Sequence, residues 1–283
     1  MSKLALIGAG GKMGVRLATN LKGSRFDVAH VEISEEGRAR LRDEVGLEVV
    51  DQGVAVSDAD VIILAVPDRL IGKISHDIID LVKPGATLIV LDGAAPHAGE
   101  MPTRDDVSYF CTHPCHPTLF PFTSDVDAQK DFFGGIHGPQ AIVCALIQGP
   151  DEHYDLGEEV ARTIYGPVTR AHRCELEHIA ILEPAMSETV GATLALALRE
   201  ATDEAIRRGV PEGAAMDFML GHLKIELGIA FGTFPEGKFS DGALHAIKEA
   251  RPLIFKDNWL EDIFNPDAVM QSVKDICNAG EPE

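Results

Sequence analysis

The sequence has few cysteines and few cations. Five cysteines are spread over 283 residues without a pairing pattern, and a chain of this length does not need a disulfide framework. We therefore expect a reducing, cytoplasmic compartment. Lysine and arginine total 25 against 45 acidic residues, which gives a formal net charge of -20. Such a field repels phosphate backbones and anionic lipid, so neither nucleic acid nor a membrane is an expected partner.

Long apolar runs are lacking as well, and none is long enough to cross a bilayer. Hydrophobic residues still make up 45% of the chain and charged residues 25%. These values are typical of globular proteins and exclude a disordered chain. The length favours two domains.

In the first half of the chain, short aliphatic runs alternate with helical stretches. The pattern predicts strands at residues 4–7, 26–31, 61–66, 88–91, 109–112, 141–147 and 168–171. Continuous aliphatic strands separated by helices predict a parallel sheet that is covered on both faces. The sequence thus predicts an α/β, doubly wound Rossmann domain over residues 1–173.

The second half is expected to be helical. One long helix is predicted over residues 175–208, interrupted only at Pro184, and a second helix runs from Pro211 to about Phe231. Shorter helices are predicted at 241–255 and 266–278. About 34 helical residues span roughly 50 Å, which exceeds the width of a small domain. We therefore expect an all-α domain over residues 174–283 that packs against a second subunit in a homodimer.

A glycine-rich turn, LALIGAGGKMG, lies between the first strand and the first helix. Its glycines fit a G-x-x-G-x-x-G spacing, whereas Met13 takes the third glycine position of the strict G-x-G-x-x-G pattern. A tight turn needs residues without Cβ, and backbone N–H groups at a helix start bind a pyrophosphate. The alternative is a plain strand-to-helix turn. The residues expected to hold the dinucleotide phosphates are Gly8, Gly10, Gly11, Lys12 and Met13.

Two further segments extend the predicted cofactor site. Glu32 ends the second strand, where a carboxylate accepts hydrogen bonds from the adenosine ribose and repels a 2′-phosphate. NAD is therefore favoured over NADP, with a solvated surface charge as the alternative for Glu32. Val66 and Pro67 end the third strand, at the crevice where the nicotinamide half is expected, and Asp92 ends the next strand.

Histidines cluster in the segment YFCTHPCHPTLFPFT, residues 109–123. Prolines flank His113 and His116, disfavour a helix and predict a rigid loop at the crevice. An imidazole there can act as a general base or bind a metal. The alternative, strongest for His113, is a structural hydrogen bond within the loop. A zinc finger is excluded because the second ligand pair is missing.

The rest of the site is expected on the long helix, because ligands bind in clefts between domains. A polar stretch near Pro184 contains Glu188, and a buried carboxylate needs a cation, a metal or a substrate hydroxyl as its partner. We expect His116 and Glu188 to be catalytic and to bind a divalent metal, Zn²⁺ or Mg²⁺, with an open coordination shell. The alternative for Glu188 is a surface or dimer-face charge. The alternative site residues on this helix are Glu183, Ser187 and His178.

The chain resembles the NAD-dependent dehydrogenases of the 6-phosphogluconate dehydrogenase-like superfamily, which join a Rossmann domain to a helical, usually dimeric, domain built on one long helix. GAGGKMG, LAVPD and THPCHP carry the resemblance, and THPCHP is similar to the His-Pro segment of prephenate dehydrogenases. THPCHPTLF and EPAMSETVGATLALALREA are most similar to the D-apionate oxidoisomerase group. Hydroxyacid dehydrogenases place a catalytic lysine near the start of the long helix, whereas residues 175–198 contain no lysine. This departure favours metal assistance.

The resemblance implies an NAD-dependent oxidoreductase that acts on a CH–OH group of a small, anionic sugar acid in carbohydrate catabolism. NAD would take a hydride from C2 of a branched acid. A divalent ion on His116 and Glu188 would act as a Lewis acid in an α-ketol rearrangement to a 3-oxo acid. Two alternatives remain open: a plain hydroxyacid or prephenate-type dehydrogenase without rearrangement, and a non-catalytic NAD-sensing module.

Overall fold

The fold is that of a computed structural model, which describes residues 1–121 and 123–278. Seven strands form one sheet in the order β2-β1-β3-β4-β5-β6-β7, and each predicted strand is confirmed. The strands are β1 (Lys3–Ile7), β2 (Asp27–Val31), β3 (Val61–Leu64), β4 (Thr87–Val90), β5 (Ser108–Pro114), β6 (Gln140–Gln148) and β7 (Val168–Arg173).

Thirteen α-helices accompany the sheet in the described part of the chain. Those up to the last strand are α1 (Lys12–Leu21), α2 (Glu35–Arg40), α3 (Gln52–Asp58), α4 (Asp68–Ile78), α5 (Ala94–His97), α6 (Val126–Lys130) and α7 (Glu152–Ile164). Those after it are α8 (Leu176–Ala180), α9 (Thr193–Arg207), α10 (Glu212–Ala230), α11 (Asp241–Ile254), α12 (Trp259–Phe264) and α13 (Pro266–Cys277). The four helices predicted in the second half are confirmed, and α12 was not predicted.

The core of the sheet consists of the aliphatic runs that predicted it. All residues of β3 and β4 are buried, as expected for central strands with helices on both faces. The strand order reverses direction at β1, since β2 lies on one side of it and β3 on the other. A crevice forms at such a switch point, outside the carboxyl ends of the strands.

One strand pair departs from the expected parallel sheet. β6 runs antiparallel to β5, whereas the other neighbouring strands are parallel. A parallel return requires a crossover connection, usually a helix that covers the sheet. The segment between β5 and β6 is rich in proline, and its described residues contain only the five-residue helix α6, so the chain turns back instead. The predicted doubly wound, parallel-dominated sheet is confirmed, and this antiparallel pair is a departure from it.

The chain divides into two compact units. The first contains residues 1–182 and the C-terminal segment from Met270, and the second contains Glu183–Val269. The boundary predicted after residue 173 coincides with the end of β7. The division by compactness falls further along, within the long helix.

The predicted long helix is helical from Leu176 to Arg207. Pro184 does not break it, because residues Ile181–Ala192 form π-helical turns. The i→i+5 pattern is a local rearrangement that often occurs at functional sites. The Thr189 hydroxyl donates to the Pro184 carbonyl at 2.7 Å.

By length and composition alone, Leu176–Arg207 also qualifies as a membrane span, in contrast to the expectation drawn from apolar runs. Core helices of soluble proteins pass the same criterion, so the observation is weak evidence for a membrane. The helix carries charged residues near both ends, among them Glu177 and Asp203.

Candidate functional site

A cavity of about 540 Å³ opens at the carboxyl ends of β1, β2 and β3. It lies at the switch point of the sheet, where doubly wound folds bind nucleotides. Lys12 and Met13 form the first turn of α1 and are not among the lining residues. The predicted cofactor residues that line it are Gly8, Gly10, Gly11, Glu32, Val66 and Pro67.

The glycine turn leaves no room for side chains at three of its positions. Gly8 has φ +80°, and a Cβ there would lie 2.3 Å from the Ala65 carbonyl oxygen. A Cβ on Gly14 would lie 2.0 Å from the Gly8 oxygen, and one on Gly10 would lie 2.3 Å from the Gly37 oxygen. The turn is therefore a cradle of bare backbone, which fits a diphosphate.

The N-terminus of α1 completes this cradle. Its N-cap is Gly11, no side chain caps it, and the first turn contains no acidic residue. The first N–H groups of a helix have no intrahelical acceptor and carry the positive end of the helix dipole. Such a helix start can donate hydrogen bonds to an anion.

Glu32 is held firmly beside this turn. Its Oε2 accepts the Gly10 N–H at 3.0 Å, and its Oε1 accepts the N–H and the hydroxyl of Ser34 at 2.8 and 3.0 Å. A Cβ on Gly37 would lie 2.6 Å from the Glu32 carboxyl carbon. Gly37 is not predicted from the sequence, where its only signal is a glycine in the first turns of a helix, a position at which glycine is unfavourable.

The structure brings Asp92 and His113 together. Each offers a metal-ligating atom, and the two atoms lie within 4.8 Å of one another. Asp92 Oδ1 accepts the Ala94 N–H at 2.6 Å, which orients the carboxylate. His113 Nδ1 lies 2.9 Å from the Pro114 carbonyl oxygen, so Nδ1 carries the proton in the neutral ring and Nε2 is the basic nitrogen.

His116 occupies an unusual backbone conformation in the same loop. Its φ is +59°, the only positive value among the non-glycine residues described, and such strain is concentrated at functional sites. Its Nδ1 lies 2.9 Å from the Phe133 carbonyl oxygen, and its ring centre lies 6.0 Å from that of His113. The arrangement leaves Nε2 of His116 as a proton acceptor.

The same loop does not supply a reactive thiol. Burial raises the pKa of Cys115, so the group is a thiol at neutral pH and a poor nucleophile. Histidine chemistry is therefore the chemistry that this loop can offer, and the carboxylate beside it comes from Asp92.

The two candidate carboxylates of the long helix, Glu183 and Glu188, belong to the second compact unit. Glu188 is exposed in the single chain and Glu183 is partly buried. Ser187 is exposed, while the His178 ring accepts the Glu175 N–H at 3.2 Å and caps the helix. His178 thus has a structural contact in the first unit.

Two family models match consecutive parts of the chain. Residues 123–277 match the family of the C-terminal domain of decarboxylating phosphogluconate dehydrogenases, which is more than half of the chain. Residues 1–119 match the NADPH-binding domain of acetohydroxy acid isomeroreductases. A D-apionate oxidoisomerase from Rhizobium rhizogenes is 50% identical, over 98% of this chain and 100% of that protein. The chain belongs to the D-apionate oxidoisomerase family.

Other members and solved structures agree with this assignment. The D-apionate oxidoisomerase of Cupriavidus necator is 48% identical, over 97% of this chain and 99% of that protein. A semialdehyde dehydrogenase NAD-binding protein from Cupriavidus necator, solved with calcium and NAD, is 48% identical, with a TM-score of 0.95 over 98% of this chain and 99% of that one. The predictions of the superfamily, of a Rossmann domain with a helical C-terminal part and of an oxidoreductase family are confirmed.

Proposed function

We propose that this member of the family is an NAD-dependent oxidoreductase that converts D-apionate by oxidation at C2 and rearrangement of the carbon skeleton to a 3-oxo acid. The observation that carries the proposal is the bare-backbone cradle at the sheet switch point, in a chain that matches D-apionate oxidoisomerases over nearly its whole length. The proposal places the reaction in sugar-acid catabolism in the cytoplasm.

The residues of the cavity fit NAD. A diphosphate needs the side-chain-free turn at Gly8, Gly10 and Gly14, with Lys12 and Met13 contributing backbone N–H groups at the start of α1. Glu32 lines the cavity and would accept the ribose hydroxyls, and Val66 with Pro67 lines the cavity at the end of β3. When bound, NAD supplies a hydride acceptor. The solved relative that contains NAD supports this cofactor.

His116 is the proposed general base. The carbonyl of Phe133 fixes its Nδ1–H, so Nε2 can accept the proton of a substrate hydroxyl during oxidation. The strained backbone holds the imidazole in one orientation, which is the kind of preorganisation that proton transfer requires.

A divalent metal is the proposed second cofactor, and calcium in the solved relative supports it. A metal would act as a Lewis acid on the substrate oxygens. The pair predicted from the sequence is His116 with Glu188, and Asp92 with His113 is the pair whose geometry the structure describes. A carboxylate and an imidazole are suitable donors for Zn²⁺, whereas Mg²⁺ and Ca²⁺ prefer oxygen.

Substitution separates the two ligand pairs. We expect D92N and H113Q, or alternatively H116Q and E188Q, to lower the affinity for added metal by about 10- to 100-fold in calorimetric titrations, and E183Q tests the rival carboxylate. If the substitutions in one pair leave the metal affinity unchanged, that pair does not bind the metal. Full turnover by metal-free protein would remove the metal from the proposal and leave the dehydrogenase activity.

The activity itself is tested with D-apionate and NAD. We expect NADH absorbance to rise and carbon NMR to show a rearranged product. A product with an unchanged skeleton would show a plain dehydrogenase. NAD binding without turnover of any sugar acid would favour an NAD-sensing module.

We also propose that the protein is a homodimer formed through the second unit. Large apolar side chains are exposed there in the single chain, including Leu253 at 86%, Phe231 at 77% and Phe218 at 68%. An apolar surface of this kind marks an interaction site. Light scattering is expected to give twice the chain mass of 30.4 kDa.

A further inference from the structure

An ion pair on α2 faces the cofactor cavity. Arg40 and Glu36 lie one helical turn apart, and both line the cavity. Arg40 Nη2 donates to Glu36 Oε1 at 2.8 Å. The Arg40 side chain is 29% exposed, whereas that of Glu36 is 85% exposed. The pair therefore lies at the rim of the cavity.

Arg40 also holds the glycine turn. Its Nη1 donates to the Gly10 carbonyl at 2.6 Å, while Glu32 accepts the N–H of the same glycine at 3.0 Å. Gly10 is thus fixed from both ends by residues that follow β2. Because Glu32 stands where the adenosine ribose is expected, the Arg40 guanidinium lies at that same end of the cavity.

The charges in the cavity bear on the choice between NAD and NADP. The charged residues that line its described part are Arg40, Lys73, Glu32, Glu36 and Asp77. NADP differs from NAD by a 2′-phosphate, which an arginine near the ribose accommodates through its planar fork of donors. Both terminal nitrogens of Arg40 already donate, one to Gly10 and one to Glu36. The arginine is present, but its charge is paired with that of Glu36, and two of its five N–H donors are engaged.

We propose that Glu36 is a specificity-determining residue, which acts with Glu32 to select NAD over NADP by occupying Arg40. The inference rests on the proposed NAD function. Loss of the Glu36 charge weakens its pairing with the guanidinium and removes a repulsion of the 2′-phosphate. Arg40 keeps its bond to Gly10, so the phosphate cradle and the affinity for NAD are preserved. Specificity of this kind is a difference between two affinities.

Calorimetric titration of the full-length protein with NAD, NADP and 2′,5′-ADP tests the proposal. E36Q is expected to bind NADP and 2′,5′-ADP about 5- to 10-fold more tightly, as expected for one charge-assisted phosphate contact near the surface. Its affinity for NAD is expected to change by less than about twofold. The double variant E36Q/R40Q is expected to lose the gain, since the arginine is its source.

Glu35 supplies a matched control on the same helical turn. It pairs with Arg38 at 3.7 Å, its side chain is 92% exposed, and neither residue lines the cavity. E35Q removes the same charge from the first turn of α2 and is expected to change neither affinity. An equal gain in E35Q, or a gain that survives in E36Q/R40Q, would show a general charge effect and overturn the proposal.

The outcomes separate this inference from the proposed function. If the unaltered protein binds NAD and E36Q gains no affinity for NADP, the inference fails and the proposed function stands. If the unaltered protein binds neither dinucleotide, both fail. Thermal unfolding of each variant shows whether a lost affinity reflects a lost fold.

Discussion

The two units of the chain place their apolar side chains differently. In the first unit, every residue of β3 and β4 is buried. In the second unit, α11 and α12 have no buried residue, although α11 carries leucines and isoleucines. The first unit is therefore stabilised within a single chain, whereas the second exposes the surface that an oligomer would bury.

The largest expected effect comes from truncating one apolar side chain in each unit. Ile63 in β3 is fully buried, so I63A is expected to lower the free energy of unfolding by about 3 kcal/mol. Leu253 in α11 is 86% exposed in the single chain, so L253A removes no contact within it. Chemical unfolding at several protein concentrations measures both.

The two losses of stability are expected to depend differently on protein concentration. L253A is expected to lower stability only by weakening the dimer, so its effect should be absent at concentrations where both proteins are monomeric and should grow to a plateau as concentration rises. I63A should cost the same amount at every concentration. A loss in L253A that persists where the unaltered protein is monomeric would contradict the proposed interface at α11.

Helical glycines give the second contrast. Alanine normally stabilises a helix by about 1 kcal/mol relative to glycine. At Gly14 in α1, however, a Cβ would lie 2.0 Å from the backbone oxygen of Gly8, so G14A is expected to cost about 2 kcal/mol or more. At Gly221 in α10 no atom lies within 4 Å of the added Cβ, so G221A is expected to stabilise.

Thermal unfolding of G14A and G221A checks the opposite signs. A destabilised G221A would show that another chain covers this part of α10, which would support the dimer. A stabilised G14A would contradict the close packing of the phosphate turn and weaken the case for the cofactor cradle.

The sequence predicted the first unit well because its signals are local. Aliphatic runs predict the seven strands, and the glycine spacing predicts the turn. The antiparallel direction of β6 could not be predicted, since strand direction depends on the path of a loop that lacks a regular pattern. The φ of +59° at His116 and the contact of Gly10 with Gly37 are equally invisible, because both arise from packing between distant segments.

The second unit was predicted less fully for a different physical reason. Periodicity identifies α9 and α10, which contact each other, but large apolar side chains such as Leu196 and Phe218 stay exposed in the single chain. The π-helical turns around Pro184 are also a tertiary feature, since proline alone predicts a kink. The position of Glu188 relative to the predicted histidine therefore stays a prediction.

A third test concerns a charge that orders a loop of the first unit. Burial raises the pKa of Asp131, but hydrogen bonds from the N–H groups of Gly138, His137 and Ile136 and from Arg16 outweigh it and lower the pKa to about 2. The carboxylate therefore contributes stability above its unfolded pKa of about 3.8, and this contribution is lost as pH falls towards 2.

D131N is expected to lower the free energy of unfolding by about 2 kcal/mol at pH 7 and by much less near pH 2. Denaturant unfolding across this pH range measures the difference. D125N is the matched control in the same segment, because Asp125 caps α6 and asparagine is an equally good cap. Equal losses in both variants would mean that the loop gains nothing specific from the Asp131 charge.

The smallest expected effect is the pH dependence that a buried histidine gives to the first unit. His30 in β2 is 6% exposed, and burial lowers its pKa from the usual 6.5. Below that value the unfolded chain binds a proton that the folded chain does not, so stability falls as pH decreases from 6.5 towards the folded pKa. The loss between about pH 7.5 and pH 5.5 is expected to be on the order of 1 kcal/mol.

H30Q should abolish this dependence of stability on pH, whereas H245Q, which changes an exposed histidine of the second unit, should retain it. If the pH dependence persists in H30Q and disappears in H245Q, the acid sensitivity arises in the second unit. The two units would then differ in their titrating groups as well as in the burial of their apolar side chains.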